Sequence, residues 1–131
     1  MARVGISSVS VENALENIDA TFAGWDFEET RKAASDAWER ELGKIRIQSA
    51  DPQQKTIFYT ALYHTMVAPA LFSDLNGEFK GLKGETLKTD GYNRYTVFSL
   101  WDTYRALHPL FTLIEQPSVN DMVKTMLDHY K

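Results

Sequence analysis

The sequence predicts a mainly α-helical chain with short β ribbons. Polar capping residues begin several segments, and apolar residues then recur in them at helical spacing. One glycine-rich stretch lacks that spacing and is typical of β hairpins. The chain has 131 residues, of which 44% are hydrophobic and 12% aromatic, which is the composition of a globular protein. We therefore expect one domain or part of one.

The first 23 residues predict a strand followed by a helix. Residues from Val4 to Ser8 alternate between apolar and polar, as a short strand does. Ser10 is a suitable N-cap for a helix. The apolar stripe of this helix comprises Val11, Ala14, Leu15 and Ile18. The pair Ala23-Gly24 ends it.

Two further helices have clear beginnings. Asp26, with Glu29 three residues later, resembles a capping box, and Gly43 is a suitable end for that helix. Asp51 followed by Pro52 predicts the next helix, which should end before Pro69. The first stripe comprises Phe27, Ala34, Ala37, Trp38 and Leu42, and the second Ile57, Phe58, Ala61, Leu62 and Met66.

Glycine-containing turns mark the stretch from Leu71 to Tyr95. The dipeptides Asn76-Gly77 and Asp90-Gly91 are typical of type I′ turns, which need positive φ at both central residues. We therefore predict short β ribbons here, and a further strand over Tyr95–Phe98.

The C-terminal third predicts two helices. Ser99 should cap a helix that runs to about Gln116, with a kink near Arg105 because Pro109 removes one backbone hydrogen bond. Pro117 should end this helix and Ser118 cap the next. The stripe of that last helix comprises Val119, Met122, Val123, Met126, Leu127 and Tyr130. About five helices joined by long loops suggest an incomplete α/α toroid, in which inner and outer helices alternate.

Composition excludes several classes of function. The net charge of −4 and the absence of a Lys/Arg cluster argue against a nucleic-acid partner. No apolar run is long enough to span a membrane. The sequence has no cysteine, which excludes disulfides and thiolate metal sites. Its first residues contain no apolar signal-peptide core.

The most informative run is Ser99 to Leu110, which brings together Trp101, Asp102 and Arg105. Sugar sites use an aromatic face for C–H surface and charged planar groups for hydroxyls. We predict that these three residues bind substrate, with Asp102 accepting bonds from two hydroxyls. Asp102 could instead complete a capping box with Ser99, and Trp101 could pack in the core. Arg105 could orient Asp102 by an ion pair, contact sugar or bond a loop carbonyl; we favour orientation.

Other polar residues are interpreted as structural. His64, His108 and His129 show no metal-ligand spacing, and hydrogen-bonded structural roles are favoured for them. The segment from Asp74 to Glu78 superficially resembles a calcium loop but lacks the EF-hand spacing, so a hairpin turn is the better interpretation. No catalytic residue and no metal ligand is assigned.

Several blocks of this sequence resemble glycoside hydrolase family 92, the calcium-dependent exo-acting α-mannosidases. The resemblance is most specific from Trp101 to Leu110 and extends over residues 5–14, 25–27, 58–65 and 72–74. It implies an N-terminal β-sandwich, a linking helix and an (α/α)6 barrel. Residues 1–23 would then be the last sandwich strand and the linker helix, and residues 24–131 the first, truncated part of the barrel.

The resemblance also implies a function for the parent protein. It would be a secreted or periplasmic enzyme that removes terminal α-linked mannose, with α-1,2 linkage favoured, from N-glycans or mannans by an inverting mechanism. Its general acid, its base and most of its calcium ligands would lie in later barrel segments, so the fragment should be inactive and bind no calcium. Its unpaired apolar faces should favour self-association. Alternatives are a non-catalytic carbohydrate-binding or helical interaction module, and a toroid glycosidase of another specificity.

Overall fold

A computed structural model of the chain describes residues 2–22 and 24–130, without the side chain of residue 130. Its elements are α1 (Val11–Thr21), α2 (Phe27–Leu42), α3 (Pro52–Thr65), β1 (Glu78–Lys80), β2 (Thr86–Lys88), α4 (Leu100–Thr103), α5 (Leu107–Ile114) and α6 (Gln116–Tyr130). The mainly α fold class with a short β ribbon is confirmed. Among the described residues, no helix has the length and apolar character needed to cross a membrane.

The chain forms two compact units, one of Gly24–Ala68 and one that joins Met1–Ala23 to Pro69–Lys131. The proposed domain boundary after residue 23 therefore stays a prediction, and Ala23 itself lies outside the described residues. Both units contain helices that begin at the capping residues predicted from the sequence. Each capping side chain accepts hydrogen bonds from backbone N–H groups that have no partner within the helix.

The unit Gly24–Ala68 contains α2 and α3. Asp26 accepts hydrogen bonds from the N–H groups of Glu28 and Glu29, and Asp51 accepts one from Gln53. Both predicted caps are thereby confirmed. The rings of Trp38 and Tyr63 meet edge to face, with centroids 4.6 Å apart. This contact joins the two helices.

In the other unit, Ser10 caps α1 as predicted, through a hydrogen bond from the N–H of Asn13. The predicted strand over Val4–Ser8 does not form. A strand needs a hydrogen-bonded neighbour, and the described residues supply none for this segment. Ser7 Oγ instead accepts bonds from the N–H groups of Val9 and Ser10, which turns the chain into α1.

The predicted apolar stripe of α1 is covered only in part, because Ala14 and Ile18 are half-buried. Val11 and Leu15 are largely exposed, whereas Asn13 is buried. Buried amides need hydrogen-bond partners, and Asn13 finds them in a polar cluster described below. Periodicity alone could not reveal these partners, because they lie more than sixty residues away in the sequence.

The β ribbon is one antiparallel hairpin, in which Phe79 pairs with Leu87. The type I′ prediction is wrong for both dipeptides, because only their glycines, Gly77 and Gly91, have positive φ. The turn that ends at Gly77 is closed by a bond from its N–H to the carbonyl of Asp74. The predicted strand over Tyr95–Phe98 reduces to a single bridge, from Leu71 to Tyr95.

The bridge is made by the N–H groups of Phe72 and Thr96, whereas the N–H of Tyr95 bonds to α6. Thr125 is 1% exposed. Its Oγ1 accepts a bond from the N–H of Tyr95 (3.1 Å) and donates one to the carbonyl of Asp121 (2.9 Å). Nearby, the guanidinium of Arg94 lies 4.2 Å from the centroid of the Phe79 ring. The hairpin and α6 are held together through these contacts.

The predicted helix from Ser99 to Gln116 is broken, not kinked. α4 has one turn, Tyr104–Ala106 form a turn, and α5 begins at Leu107. Pro109 is then the third residue of α5, where a helix N–H has no partner within the helix, so proline is tolerated.

The predicted boundary between the last two helices is also wrong. α5 ends at Ile114, and α6 begins at Gln116, so Pro117 lies in the first turn of α6 and does not terminate the preceding helix. Ser118 lies within α6 and is not its cap. α6 packs on α5, and the two bury Phe111 and Met122. The predicted stripe residue Tyr130 has its side chain outside the described part of the structure.

Candidate functional site

The segment from Phe98 to His108 presents the three predicted substrate-binding residues. Ser99 begins α4 in an extended conformation, and its carbonyl accepts a hydrogen bond from Thr103 Oγ1 (2.8 Å). The single turn of α4 carries Trp101 and Asp102, and Arg105 lies in the turn that follows. Both side chains on α4 and the side chain of Arg105 are exposed. A short helix followed by a turn therefore places all three residues on the surface of their unit.

Trp101 is 83% exposed and does not pack in the core of its unit. Nothing in the described residues covers its indole. An open indole face is the surface that a sugar ring requires, since the C–H groups of the sugar stack on it. The geometry is thus compatible with the predicted role in binding, which stays a prediction.

Asp102 does not complete a capping box. The Ser99 side chain makes no capping hydrogen bond. Within the described residues, Asp102 has neither a hydrogen-bond nor an ion-pair partner. Its carboxylate therefore has its acceptor positions available for hydroxyl groups.

Arg105 does not form the predicted ion pair with Asp102 in the described structure. Its Nε donates a hydrogen bond to the hydroxyl of Tyr104 (2.7 Å), and its guanidinium lies 5.5 Å from that ring's centroid. The prediction assumed a continuous helix, in which residues three apart share a face. Because α4 ends at Thr103, this relation is lost.

His108 closes the segment. Its ring lies 5.2 Å from the ring of Phe98, centroid to centroid, at an interplanar angle of 51°. Burial lowers the pKa of His108, so the imidazole is neutral at pH 7. The predicted structural role agrees with this packing, but the predicted hydrogen bond is absent at Nε2, which has no partner among the described residues.

A groove of about 380 Å³ lies beside this segment and is lined mainly by apolar side chains of α4, α5 and α6. Leu100 and Tyr104 contribute from the segment itself, and His108 from the start of α5. The same short stretch of chain therefore presents polar groups on its exposed face and apolar groups toward the groove.

A polar cluster around Asp74 was missed by the sequence analysis. Ser7 Oγ donates to Asp74 Oδ2 (2.6 Å), Asn13 Nδ2 donates to the same oxygen (2.9 Å), and Asn17 Nδ2 donates to Oδ1 (2.8 Å). Asn13 Nδ2 also donates to Glu78 Oε2 (2.9 Å). Asn13 and Asn17 lie four residues apart on one face of α1, and this spacing of two amides was the available signal.

The hydrogen bonds in this cluster determine the ionisation of Asp74. Burial by itself would raise the pKa of this carboxyl group, but the bonds from Ser7, Asn13 and Asn17 outweigh that effect and lower the pKa below its ordinary value. Asp74 is therefore a carboxylate at neutral pH. Its negative charge fixes α1 to the turn that precedes β1.

A second cluster surrounds Arg94, which is 4% exposed. Its Nη1 donates to Asp128 Oδ2 (3.3 Å), and its Nη2 lies 3.2 Å from His129 Nδ1. Burial lowers the pKa of Arg94, but a guanidinium remains charged at neutral pH. His129 thereby has the structural role predicted for it.

Neither cluster fits a calcium site. Among the described residues, no three His, Cys, Asp or Glu side chains come together as a metal-binding group. The Asp74 oxygens accept N–H and O–H donors, whereas a calcium ion would need those lone pairs. No step of a mechanism can therefore be assigned to a metal held by these residues.

Comparison with known proteins identifies the family. Residues 13–131 match the glycosyl hydrolase family 92 catalytic domain. An "uncharacterized secreted glycosidase" of Arthroderma benhamiae is 33% identical over 109 residues, which cover 79% of this chain and 13% of that protein. This chain thus spans only a small part of its relative.

Solved structures agree with this match. A family GH92 α-mannosidase from Bacteroides thetaiotaomicron shares 44% identity and a TM-score of 0.89, covering 95% of this chain and 16% of that one. It has also been solved in complex with mannoimidazole. An inverting GH92 mannosidase from the same species shares 27% identity and a TM-score of 0.86, covering 95% and 17%. The chain therefore belongs to glycosyl hydrolase family 92 and carries part of its catalytic domain.

Proposed function

We propose that this chain supplies part of the terminal-mannose site of an exo-acting α-mannosidase. The single observation that carries the proposal is the exposed group of Trp101, Asp102 and Arg105, in a chain 44% identical to an α-mannosidase. Trp101 would stack on the sugar ring, Asp102 would accept bonds from two hydroxyls, and Arg105 would contact sugar from the turn that follows. The incomplete (α/α)6 toroid, with α1 (Val11–Thr21) as the linking helix, belongs to the same proposal.

The proposed reaction of the whole enzyme is hydrolysis with inversion. An inverting glycosidase uses one carboxylic acid to protonate the leaving oxygen and one carboxylate to activate water, roughly 6.5–9.5 Å apart. On the family resemblance, both groups and most calcium ligands would lie outside these 131 residues. The contribution of this chain is therefore to bind and orient the terminal sugar, which lowers the barrier by fixing the scissile bond against those groups.

The finer features of the proposal come from the family resemblance. The substrate would be an α-linked, favoured α-1,2-linked, mannose at the end of an N-glycan or mannan. The parent protein would need calcium. It would act outside the cytoplasm, as the secreted relative in Arthroderma benhamiae suggests. Nucleic acid and membranes are not proposed as partners.

The substitution Asp102→Ala in the full-length enzyme tests the site. Loss of charge-assisted hydrogen bonds worth about 1.5–3 kcal/mol each should lower kcat/KM at least tenfold, because a gripped terminal ring also positions the bond to be cleaved. The melting temperature should change little, since Asp102 has no partner among the described residues. Steady-state kinetics on an aryl α-mannoside and a thermal melt give the two measurements.

Asp19→Ala is the matched control, since Asp19 is another exposed carboxylate on a helix. It should alter neither measurement. If Asp102→Ala lowers the melting temperature while kcat/KM stays within about threefold, the sugar-contact assignment is wrong. Mannose binding without hydrolysis by the full-length protein would instead favour a carbohydrate-binding module.

A further inference from the structure

The segment that carries the candidate sugar-binding residues cannot hold its own position. α4 is a single turn of four residues, closed by the hydrogen bond from the Tyr104 N–H to the Leu100 carbonyl (3.0 Å). One turn is far below the length at which a helix is stable by itself. Contacts with the rest of the unit must therefore set where Trp101 and Asp102 stand.

The three candidate residues do not provide those contacts. Trp101 and Asp102 point into open space, and the described partner of Arg105 is its own neighbour, Tyr104. The Ser99 side chain makes no capping bond that would fix the start of α4. Leu100 and Tyr104 face the groove shared with α5 and α6, and further attachment comes from residues at the two ends of the segment.

Phe98 and His108 make that attachment. They stand ten positions apart, one directly before Ser99 and one in the first turn of α5, and their rings are in contact at 5.2 Å. Both side chains are half-buried. Their contact closes the segment into a loop anchored on α5, which packs on α6 with Phe111 and Met122 buried.

We propose that His108 is a positioning residue of the sugar site, which acts through ring contact with Phe98 to fix the place of Trp101 and Asp102. This inference rests on the proposed function, in which Trp101 and Asp102 bind the terminal sugar. A neutral imidazole suits this role, because it packs against an aromatic ring and an apolar groove without the cost of burying a charge. The Nε2 atom, which has no described partner, is not needed for it.

The test compares two replacements of His108 in the full-length enzyme. His108→Ala removes the ring, and loss of an aromatic pair contact should raise KM for an aryl α-mannoside about fivefold to tenfold, with kcat changed less than about threefold. His108→Phe keeps a ring and should restore KM to within about twofold of wild type. Phe98→Ala should raise KM as His108→Ala does, and the double variant should be no worse than either single one.

Thr112→Ala is the matched control. Thr112 lines the same groove one helical turn further along α5, and its hydroxyl donates to the Pro109 carbonyl (2.7 Å). This variant should leave KM unchanged even if it lowers the melting temperature. A KM that rises equally in Thr112→Ala and His108→Ala, or that stays high in His108→Phe, overturns the proposal.

A second measurement is independent of hydrolysis. Hydrogen exchange at the amide of Tyr104, whose hydrogen bond closes α4, should quicken in His108→Ala and return to the wild-type rate in His108→Phe. If the wild-type enzyme is active and His108→Ala changes neither the exchange rate nor KM, the positioning role of His108 is wrong and the proposed function stands. A wild-type enzyme without mannosidase activity overturns the proposed function, and unchanged exchange in His108→Ala would then overturn the ring contact as well.

Discussion

Replacement of Asp74 by alanine should detach α1 from the rest of its unit. The carboxylate accepts three side-chain hydrogen bonds of 2.6–2.9 Å, from Ser7, Asn13 and Asn17. Bonds to a charged group contribute about 1.5–3 kcal/mol each. Ser7 and Asn17 are only partly buried and can bond water instead, whereas the buried Asn13 amide keeps only its bond to Glu78.

The expected loss of unfolding free energy is therefore about 3 kcal/mol, close to the cost of one unsatisfied buried donor and two weakened contacts. For a chain of this size that corresponds to a fall of about 10 °C in melting temperature. Circular dichroism would measure the melt, and hydrogen exchange would show faster exchange in α1 (Val11–Thr21). Asp36→Ala is the control, since it breaks only the exposed pair with Lys32, worth about 0.5 kcal/mol or less.

The pH dependence gives the same prediction a second test. The pKa of Asp74 is about 3.8 in the unfolded chain and lower in the folded one. Asp74 therefore stabilises the folded chain in full above pH 3.8, and this contribution is lost as the pH falls through the folded pKa. The stability difference between wild type and Asp74→Ala should therefore narrow under acid conditions. Amides of α1 that exchange equally slowly in both proteins, or a difference that does not narrow with acid, would refute the reasoning.

Two further predictions concern the 131-residue chain by itself. It should hydrolyse no aryl α-mannoside even with calcium, because the general acid and base are expected to lie outside it and each contributes about 10²–10⁴-fold. Turnover that Asp102→Ala abolishes would contradict this. The chain should also self-associate, because apolar residues such as Leu113 (77% exposed) and Leu127 (59% exposed) are open to solvent, and contiguous exposed apolar surface favours association. Light scattering after sizing chromatography would measure its mass, and a monomer that binds no hydrophobic dye would contradict this expectation.

The helix beginnings could be predicted because they depend on neighbouring residues. Ser10, Asp26 and Asp51 each cap a helix through N–H groups two or three residues away. The capping chemistry is contained in a few consecutive letters of the sequence, and the structure shows it at all three positions.

The errors concern contacts between distant residues. The buried Asn13 of α1 bonds Asp74, sixty-one positions away, and the N–H of Tyr95 bonds Thr125, thirty positions away. A local pattern contains no information about such partners. In the candidate site, the binding roles of Trp101 and Asp102 stay predictions, and the predicted ion pair between Asp102 and Arg105 is absent because it depended on an unbroken helix.

Thr125 performs the hydrogen bonding of an absent β-strand. Its hydroxyl takes the Tyr95 N–H that a neighbouring strand would otherwise bond, while its own proton goes to the Asp121 carbonyl within α6. Valine has the same shape but could do neither, so shape alone does not make a residue acceptable here. The usual order of helix preference is thus reversed at this position. Thr125→Ser keeps the hydroxyl and is tolerated, whereas Thr125→Ala, which introduces the best helix former, loses both hydrogen bonds and is not.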